Sequence, residues 1–340
     1  MSDTSPILNP EEEQLFTSLR AQSWDDFLGQ EHVKTALQIS IQAARQREES
    51  MDHTLLYGPP GLGKTTLSHL IAKAMGAQLK ITSGTALTKV GDLAALLTNL
   101  QPGDILFIDE IHRIPKAVEE TLYPAMEDYA LDIMIGKGPS ARSIRLDLPQ
   151  FTLVGATTRF GNLTGPFRDR FGVIHRLEYY QPESLSIIIQ SAAKKLNVEI
   201  EPEASVEVGR RARGTPRIAL KLLKRIRDYV QVHEGEVITL DEVVKALDMY
   251  AIDRLGLDSA DRQLLEQLIL KHKGGPVGLS TIAATLSEDM VTIEEVLEPY
   301  LLQIGFLQRT PRGRIVTHEA YRHLGQPIPQ SNETLHIFSE

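Results

Sequence analysis

The sequence predicts an α/β protein: a parallel sheet covered by helices on both faces, then a helical region, then a winged-helix-like region. Three observations predict this. Short apolar runs at 53–57 (HTLLY), 104–108 (DILFI) and 151–156 (FTLVGA) alternate with helical patterns, as buried parallel strands do. After Pro182, helical periodicity continues over 183–251 with almost no strand signal. From 254 to 325, three helical segments precede two β-like runs, GFLQR and RIVT, around Thr310-Pro311-Arg312-Gly313, which makes 305–317 a wing. Domains 1–180, 181–253 and 254–340 follow. A chain of 340 residues is too long for one ordinary core, at roughly 100–200 residues per domain.

Residues 1–22 read as a polar lead-in. Val33, Leu37, Ile41 and Ala44 recur at helical spacing over 32–47. The run HTLLY stops at Gly58-Pro59-Pro60-Gly61, strand and then loop, and 64–75 continues as a helix. Residues 130–146, ALDIMIGKGPSARSIRL, alternate on both sides of a Gly-Lys-Gly-Pro turn and predict a hairpin. Its first arm gathers Leu131, Ile133, Met134 and Ile135. Such a patch binds a protein if the hairpin projects; taken alone, packing into the core is the more usual fate of these side chains.

Apolar residues make up 42% and charged residues 24%, the balance of a soluble globular chain. The absence of cysteine excludes disulfides and thiolate metal sites. No run of about 20 apolar residues exists, so no membrane span is expected. The start MSDTSPILNPEEEQ lacks the basic and apolar regions of a signal peptide, which makes the cytoplasm the expected location. A net charge of −9 by itself argues against a nucleic-acid partner. Residues 307–314, LQRTPRGR, nonetheless hold three arginines and no acid, and local charge outweighs the total.

Gly58-Pro-Pro-Gly-Leu-Gly63-Lys64-Thr65 fits G-x-x-x-x-G-K-[ST] between a predicted strand and a predicted helix. Glycines let backbone N–H groups converge on phosphate oxygens, and the helix N-terminus adds a favourable dipole. Lys64 is placed to reach the β/γ-phosphates and the Thr65 hydroxyl to ligate Mg²⁺. Asp109 and Glu110 end the run ILFI; one carboxylate serves the metal and the other polarises the attacking water. Together they predict a magnesium-dependent nucleoside triphosphatase. Arg168 and Arg170 in PFRDRFG are candidates for an arginine that stabilises a neighbour's γ-phosphoryl group. Thr157 or Thr158, at the end of FTLVGA, is a candidate γ-phosphate sensor. Arg217 follows Thr215-Pro216 at a helix start, where Thr215 can cap while Arg217 reaches a nucleotide. Arg309, Arg312 and Arg314 flank the wing turn, a shape suited to sequence-independent phosphate contacts.

These motifs occur in an order that resembles the AAA+ ATPases, and closely the RuvB family, over about residues 15–325. GPPGLGKTTL at 58–67, ILFIDEIHR at 105–113, LVGATTR at 153–159, FRDRFG at 167–172 and GTPRIA at 214–219 are shared features. MEDYALDIMIGKGPSARSI at 126–144 and LQRTPRGR at 307–314 are more particular. The resemblance implies an AAA+ P-loop ATPase domain, a small helical lid and a C-terminal winged helix. It implies ATP and ADP as ligands with Mg²⁺, the metal held through Thr65 and Asp109. Gly61, Gly63, Lys64, Thr65, Thr66 and Thr158 match nucleotide positions, as do Leu19, Arg20, Glu127, Asp128, Tyr129 and Tyr180. Lys64, Asp109, Glu110, Arg170 as the finger and Arg217 as the second sensor match catalytic positions, and Arg309 and Arg314 match DNA-contacting ones. The implied activity is ATP-driven branch migration of Holliday junctions by a homohexamer on duplex DNA, in recombination, repair and the SOS response. The implied partners are RuvA, through the 130–146 hairpin, and RuvC. Another AAA+ motor (a clamp-loader subunit or an unfoldase) and a nucleotide-switched DNA-binding regulator are the competing readings.

Overall fold

The computed structural model describes residues 17–135 and 142–329. The chain forms two compact units, Gln14–Leu223 and the chain from Lys224 onward.

The first unit is built on a five-stranded, all-parallel sheet. Its elements in chain order are α1 (Glu31–Arg47), β1 (Thr54–Tyr57), α2 (Lys64–Met75), β2 (Leu79–Ser83), α3 (Val90–Thr98), β3 (Ile105–Asp109) and α4 (Lys116–Glu127). A hairpin of β4 (Ala130–Ile135) and β5 (Arg142–Asp147) follows, then β6 (Thr152–Thr157), α5 (Gly165–Arg168) and β7 (Val173–Arg176). The sheet order is β2-β3-β6-β1-β7. The three strands expected from apolar runs occupy its interior, and β3 and β6 are buried through nearly their whole length. The two strands that sequence reading missed, β2 and β7, are the edges. β7 alternates half-buried and exposed positions, and no position of β2 is fully buried. A half-solvated edge strand has no need of a continuous apolar run.

Helix α1 buries Val33, Leu37, Ile41 and Ala44, the four residues whose spacing predicts it. α6 (Pro182–Lys195) and α7 (Pro202–Arg211) close the unit, and α8 (Pro216–Val232) runs out of it. Two-residue strands at Glu199–Ile200 and Val237–Ile238 are the extended segments within the region predicted as helical.

After α9 (Leu240–Met249), the second unit has α10 (Ser259–His272), α11 (Leu279–Leu286) and a third helical stretch. That stretch comprises α12 (Met290–Thr292), a π-helical turn at Ile293–Leu297 and α13 (Glu298–Gln303). An antiparallel wing of β8 (Leu307–Thr310) and β9 (Gly313–Val316) pairs Arg309 with Arg314, and α14 (His318–His323) follows. Leu264, Leu268, Ile282, Ile293, Leu301, Phe306 and Val316 form its core. The predicted winged helix is present, with its turn at Pro311-Arg312.

Candidate nucleotide and DNA sites

The sheet carries the site at the C-terminal ends of its central strands, where ligands bind open α/β sheets. β1 ends at Tyr57 and the loop from Gly58 to Gly63 leads into α2. Gly63 caps α2 with φ 100°, and a side chain there would meet the Phe27 ring at 2.9 Å. Gly61 has φ 81°, and a Cβ on it would lie 2.9 Å from Cβ of Arg217. The missing side chains therefore let the loop turn tightly and let Arg217 approach it. Lys64 is buried, and its ammonium donates to Gly58 O at 2.8 Å and Pro59 O at 2.9 Å. Burial lowers its pKa, while the carboxylates of Glu110 and Asp109 pull it back up. Thr65 and Thr66, in the first turn of α2, are both partly exposed.

Across the sheet, β3 ends at Asp109, whose Oδ1 accepts from the Glu110 N–H at 3.0 Å. Burial pushes the Asp109 carboxyl up, Glu110 adds to this, and Lys64 and Arg217 oppose it. Glu110 takes a left-handed backbone, φ 46° and ψ 49°. Its Oε2 accepts from the Thr158 N–H at 3.1 Å and from Thr158 Oγ1 at 2.9 Å. Burial raises the Glu110 pKa, but the bonds from His112 and Thr158 outweigh it and hold the carboxyl below its ordinary range. Thr157 and Thr158 thus divide. Thr157 is fully buried with its hydroxyl on His112, whereas Thr158 is partly exposed on Glu110.

On the far side of the loop, Thr215 Oγ1 accepts from the Ile218 N–H at 3.4 Å and caps α8, while the exposed Arg217 donates its N–H to Gly61 O at 3.4 Å. Capping and approach to the loop occur together. Tyr180 is buried, with its hydroxyl on Leu62 O at 3.4 Å and its N–H on Gly214 O at 2.8 Å; burial drives its pKa up. Leu19 is buried, and Arg20 Nη1 lies 3.4 Å from His69 Nε2. Sequence motifs far apart in the chain, at 19–20, 58–66, 109–110, 158, 180 and 217, all belong to this one unit.

Arg170 follows α5. Nη1 donates to Pro166 O at 2.6 Å, Nε lies 3.2 Å from Glu127 Oε1, and the guanidinium sits 4.1 Å from the Tyr123 ring centroid. Arg168 lies instead over the Phe160 ring at 5.1 Å. Asp128 pairs with Arg145 at 2.7 Å, and Tyr129, at φ 50°, packs edge-on against Phe151. Beneath them His53 is buried: its ring bonds Met126 O at 3.0 Å and the Leu153 N–H at 2.9 Å. This fixes the end of α4 to β6.

The hairpin corrects one expectation. Leu131 is a fully buried member of the sheet core, and Ile133 packs partly against that core, because the start of β4 lies against α4 and Phe151. Leu131 is therefore not available to a partner. Among the described residues of the hairpin, Ile144 and Leu146 on β5 are the exposed apolar ones. The 136–141 turn and the side chains of Met134 and Ile135 lie outside the described residues.

On the wing, Arg309 and Arg314 both hold the carboxylate of Glu298, at 2.7 and 2.6 Å. Glu298 is completely buried, and Arg314 keeps only 15% of its side chain exposed. The side chain of Arg309 is about half exposed and Arg312 is exposed. Of the three predicted DNA contacts, Arg314 is chiefly an internal partner of Glu298. Sequence reading did not single out Glu298, although it continues the buried face of Ile293, Leu297 and Leu301. It also missed His112 and Tyr123; His112 lies within the DEIHR string itself.

The residues fit a nucleotide with Mg²⁺. Lys64 supplies the cation and the glycine turn the bare backbone that phosphate oxygens require, and the Thr65 hydroxyl and Asp109 carboxylate are hard oxygen donors. Such a set holds Mg²⁺ together with phosphates and waters, without a protein cage. No cluster of three or more His, Cys, Asp or Glu side chains that could hold a metal occurs among the described residues. No helix among them is long and apolar enough to cross a membrane.

Comparison with known proteins gives matches along the chain. Residues 19–177 match the family model of the Holliday junction DNA helicase RuvB P-loop domain, 180–253 the RuvB AAA lid domain, and 254–325 the RuvB C-terminal winged helix domain. Among solved structures, the chain is similar to the Thermotoga maritima RuvB Holliday junction branch migration motor, at 50% identity, TM-score 0.84, covering 92% of this chain and 100% of that one. It is equally similar to the K64R mutant of that protein (50%, TM-score 0.85, 92% and 99%) and to its R170A form (50%, TM-score 0.84, 92% and 99%).

Proposed function

The chain belongs to the RuvB family of Holliday junction branch migration motors, and from that premise we propose that it hydrolyses ATP with Mg²⁺ as a homohexameric ring, driving duplex DNA through the junction together with RuvA and RuvC. The observation that carries this reading is the convergence of Lys64, Asp109, Glu110, Thr158 and Arg217 around the Gly58–Gly63 loop, in a chain whose second unit carries a wing bearing arginines.

The geometry supports the following roles. On nucleotide binding, Lys64 exchanges the carbonyls of Gly58 and Pro59 for phosphate oxygens. Thr65 and Asp109 hold Mg²⁺, which neutralises charge on the phosphates. Glu110 stays ionised, as the bonds to it require, and orients the attacking water. Arg217 contributes positive charge from the same chain, and Arg170 is offered to the neighbouring subunit. Leu19, Arg20 and Tyr180 line the base side; Glu127, Asp128 and Tyr129 form a nucleotide-proximal stretch, with Glu127 beside Arg170. We assign the domains as 1–180, 181–253 and 254–340, in support of which the three family matches meet near the same bounds. RuvA binds the hairpin through exposed residues of 130–146, and Arg309 and Arg312 contact phosphates. The cytoplasm is the site of action.

ATP hydrolysis with Mg²⁺, measured with and without a four-way junction, tests the reading. Stimulation by junction or duplex DNA is expected. A rate indifferent to DNA but raised by unfolded polypeptide would overturn it.

A further inference from the structure

His112 stands beside Glu110 and is given no contact with nucleotide, metal or water in the scheme above. Its side chain is 6% exposed, and Nδ1 lies 3.2 Å from Glu110 Oε2 and 2.9 Å from Thr157 Oγ1. An ionised carboxylate only accepts, so toward Glu110 the Nδ1 atom carries the hydrogen. Thr157 is itself fixed at both polar groups: Oγ1 accepts from the Arg159 N–H at 3.0 Å, and its carbonyl accepts from Gly58 N–H, the first residue of the phosphate loop, at 3.2 Å. His112, Thr157 and Gly58 therefore form one chain of contacts from Glu110 to the loop.

The other hold on Glu110 is Thr158, through its N–H and hydroxyl. A hydroxyl engaged on Glu110 cannot donate its hydrogen to a γ-phosphate as well. When Thr158 turns to the phosphate, His112 is left as the side chain anchoring the carboxylate. The left-handed backbone of Glu110 makes that anchor matter. A non-glycine residue in this conformation is costly and persists where its surroundings over-determine it.

We infer that His112 is a positioning residue for ATP hydrolysis: it holds the Glu110 carboxylate toward the attacking water and ties its orientation to the phosphate loop through Thr157. The inference rests on the ATPase reading above. His112 touches no nucleotide in this scheme, so its loss lowers kcat and leaves nucleotide affinity in place.

The test is steady-state ATP hydrolysis by the full chain with duplex DNA, alongside binding of a fluorescent ADP analogue. The variants are His112→Asn, His112→Gln, His112→Leu and Lys64→Ala. The Asn amide nitrogen takes the place of Nδ1, whereas Gln puts its amide at the Nε2 position. Loss of a hydrogen bond to a charged group predicts kcat lower by about 10–100-fold for Leu and Gln, with ADP affinity within about threefold of wild type. Asn is expected to recover most of the rate. Gln matching wild type, Asn and Gln falling equally, or ADP affinity falling with kcat would each overturn the inference; Gln keeps it testable should Leu fail to fold. If wild type turns over no faster than Lys64→Ala, the ATPase reading itself falls, and this inference with it.

Discussion

Arg314 Nε lies 2.6 Å from a Glu298 carboxylate that is wholly shielded from solvent. The pair ties strand β9 to the start of helix α13, and Arg309 joins it from β8. One buried acid thus fixes both arms of the wing. Removing one partner of a buried ion pair strands the other charge, which costs about 3–5 kcal/mol. Glu298→Ala is expected to lower the unfolding free energy of the second unit by about that amount, measured by urea titration of the full chain. Arg309→Ala should cost less, because that side chain is about half exposed and its partner keeps Arg314.

The same geometry separates the wing arginines by role. Arg312 is exposed at the turn. Arg312→Ala is expected to weaken duplex binding equally across sequences. It should also reduce the slope of log K against log salt by about 0.9, the value for one phosphate contact. Binding titrations at several salt concentrations on two unrelated duplexes check this; an unchanged slope would remove Arg312 from the interface.

Arg170 is held over the Tyr123 ring at 4.1 Å and beside Glu127 at 3.2 Å. If Arg170 is the residue given to the neighbouring subunit, Arg170→Ala should lower the DNA-stimulated rate by about 10³–10⁵-fold. Tyr123→Phe keeps the ring face and is expected to stay near wild type. Tyr123→Leu removes it and should lose about 2–30-fold, the range for a cation–π contact of about 0.5–2 kcal/mol. Equal rates for Phe and Leu would show that the ring does not place the arginine.

His53 gives a pH dependence of stability. Burial lowers its pKa below the ordinary 6.5, with the bond to Met126 O opposing. A histidine held neutral in the fold binds fewer protons than in the unfolded chain. Its contribution is complete above pH 6.5 and is lost as pH falls from there toward the lowered folded value. Protonation at the atom that accepts from Leu153 N–H would break that bond. Tm is expected to drop more between about pH 7.5 and pH 5.5 in wild type than in His53→Gln. Parallel curves for the two would contradict the assignment. His69 and His175 are also lowered by burial, so part of the acid sensitivity should survive in the variant.

Much of this molecule is legible in its sequence because the relevant signals are local. The phosphate loop is one string, and Asp109-Glu110 ends one apolar run. Helix α1 shows all four of its buried residues at a single spacing. The wing announces itself through two short runs around Pro311-Arg312. What escaped depends on partners distant in the chain. Strands β2 and β7 lie at sheet edges, where no position is fully buried and no apolar run is needed. Leu131 reads as a patch residue until β4 is set against α4, and then it belongs to the core. Glu298 looks like one more surface acid until Arg309 and Arg314 close on it. The choice between Thr157 and Thr158 rests on which of two adjacent hydroxyls the strand end turns outward, which alternation along one strand does not fix without its neighbours.

In the proposed function, nucleotide hydrolysis at Lys64 drives movement of branched DNA. Conversion of a synthetic four-way junction into two duplexes, with ATP, Mg²⁺ and the cognate RuvA, tests it most directly. Wild type is expected to convert the junction and Lys64→Ala to leave it intact. Conversion by both proteins, or by neither while wild type still hydrolyses ATP in response to DNA, would contradict the account.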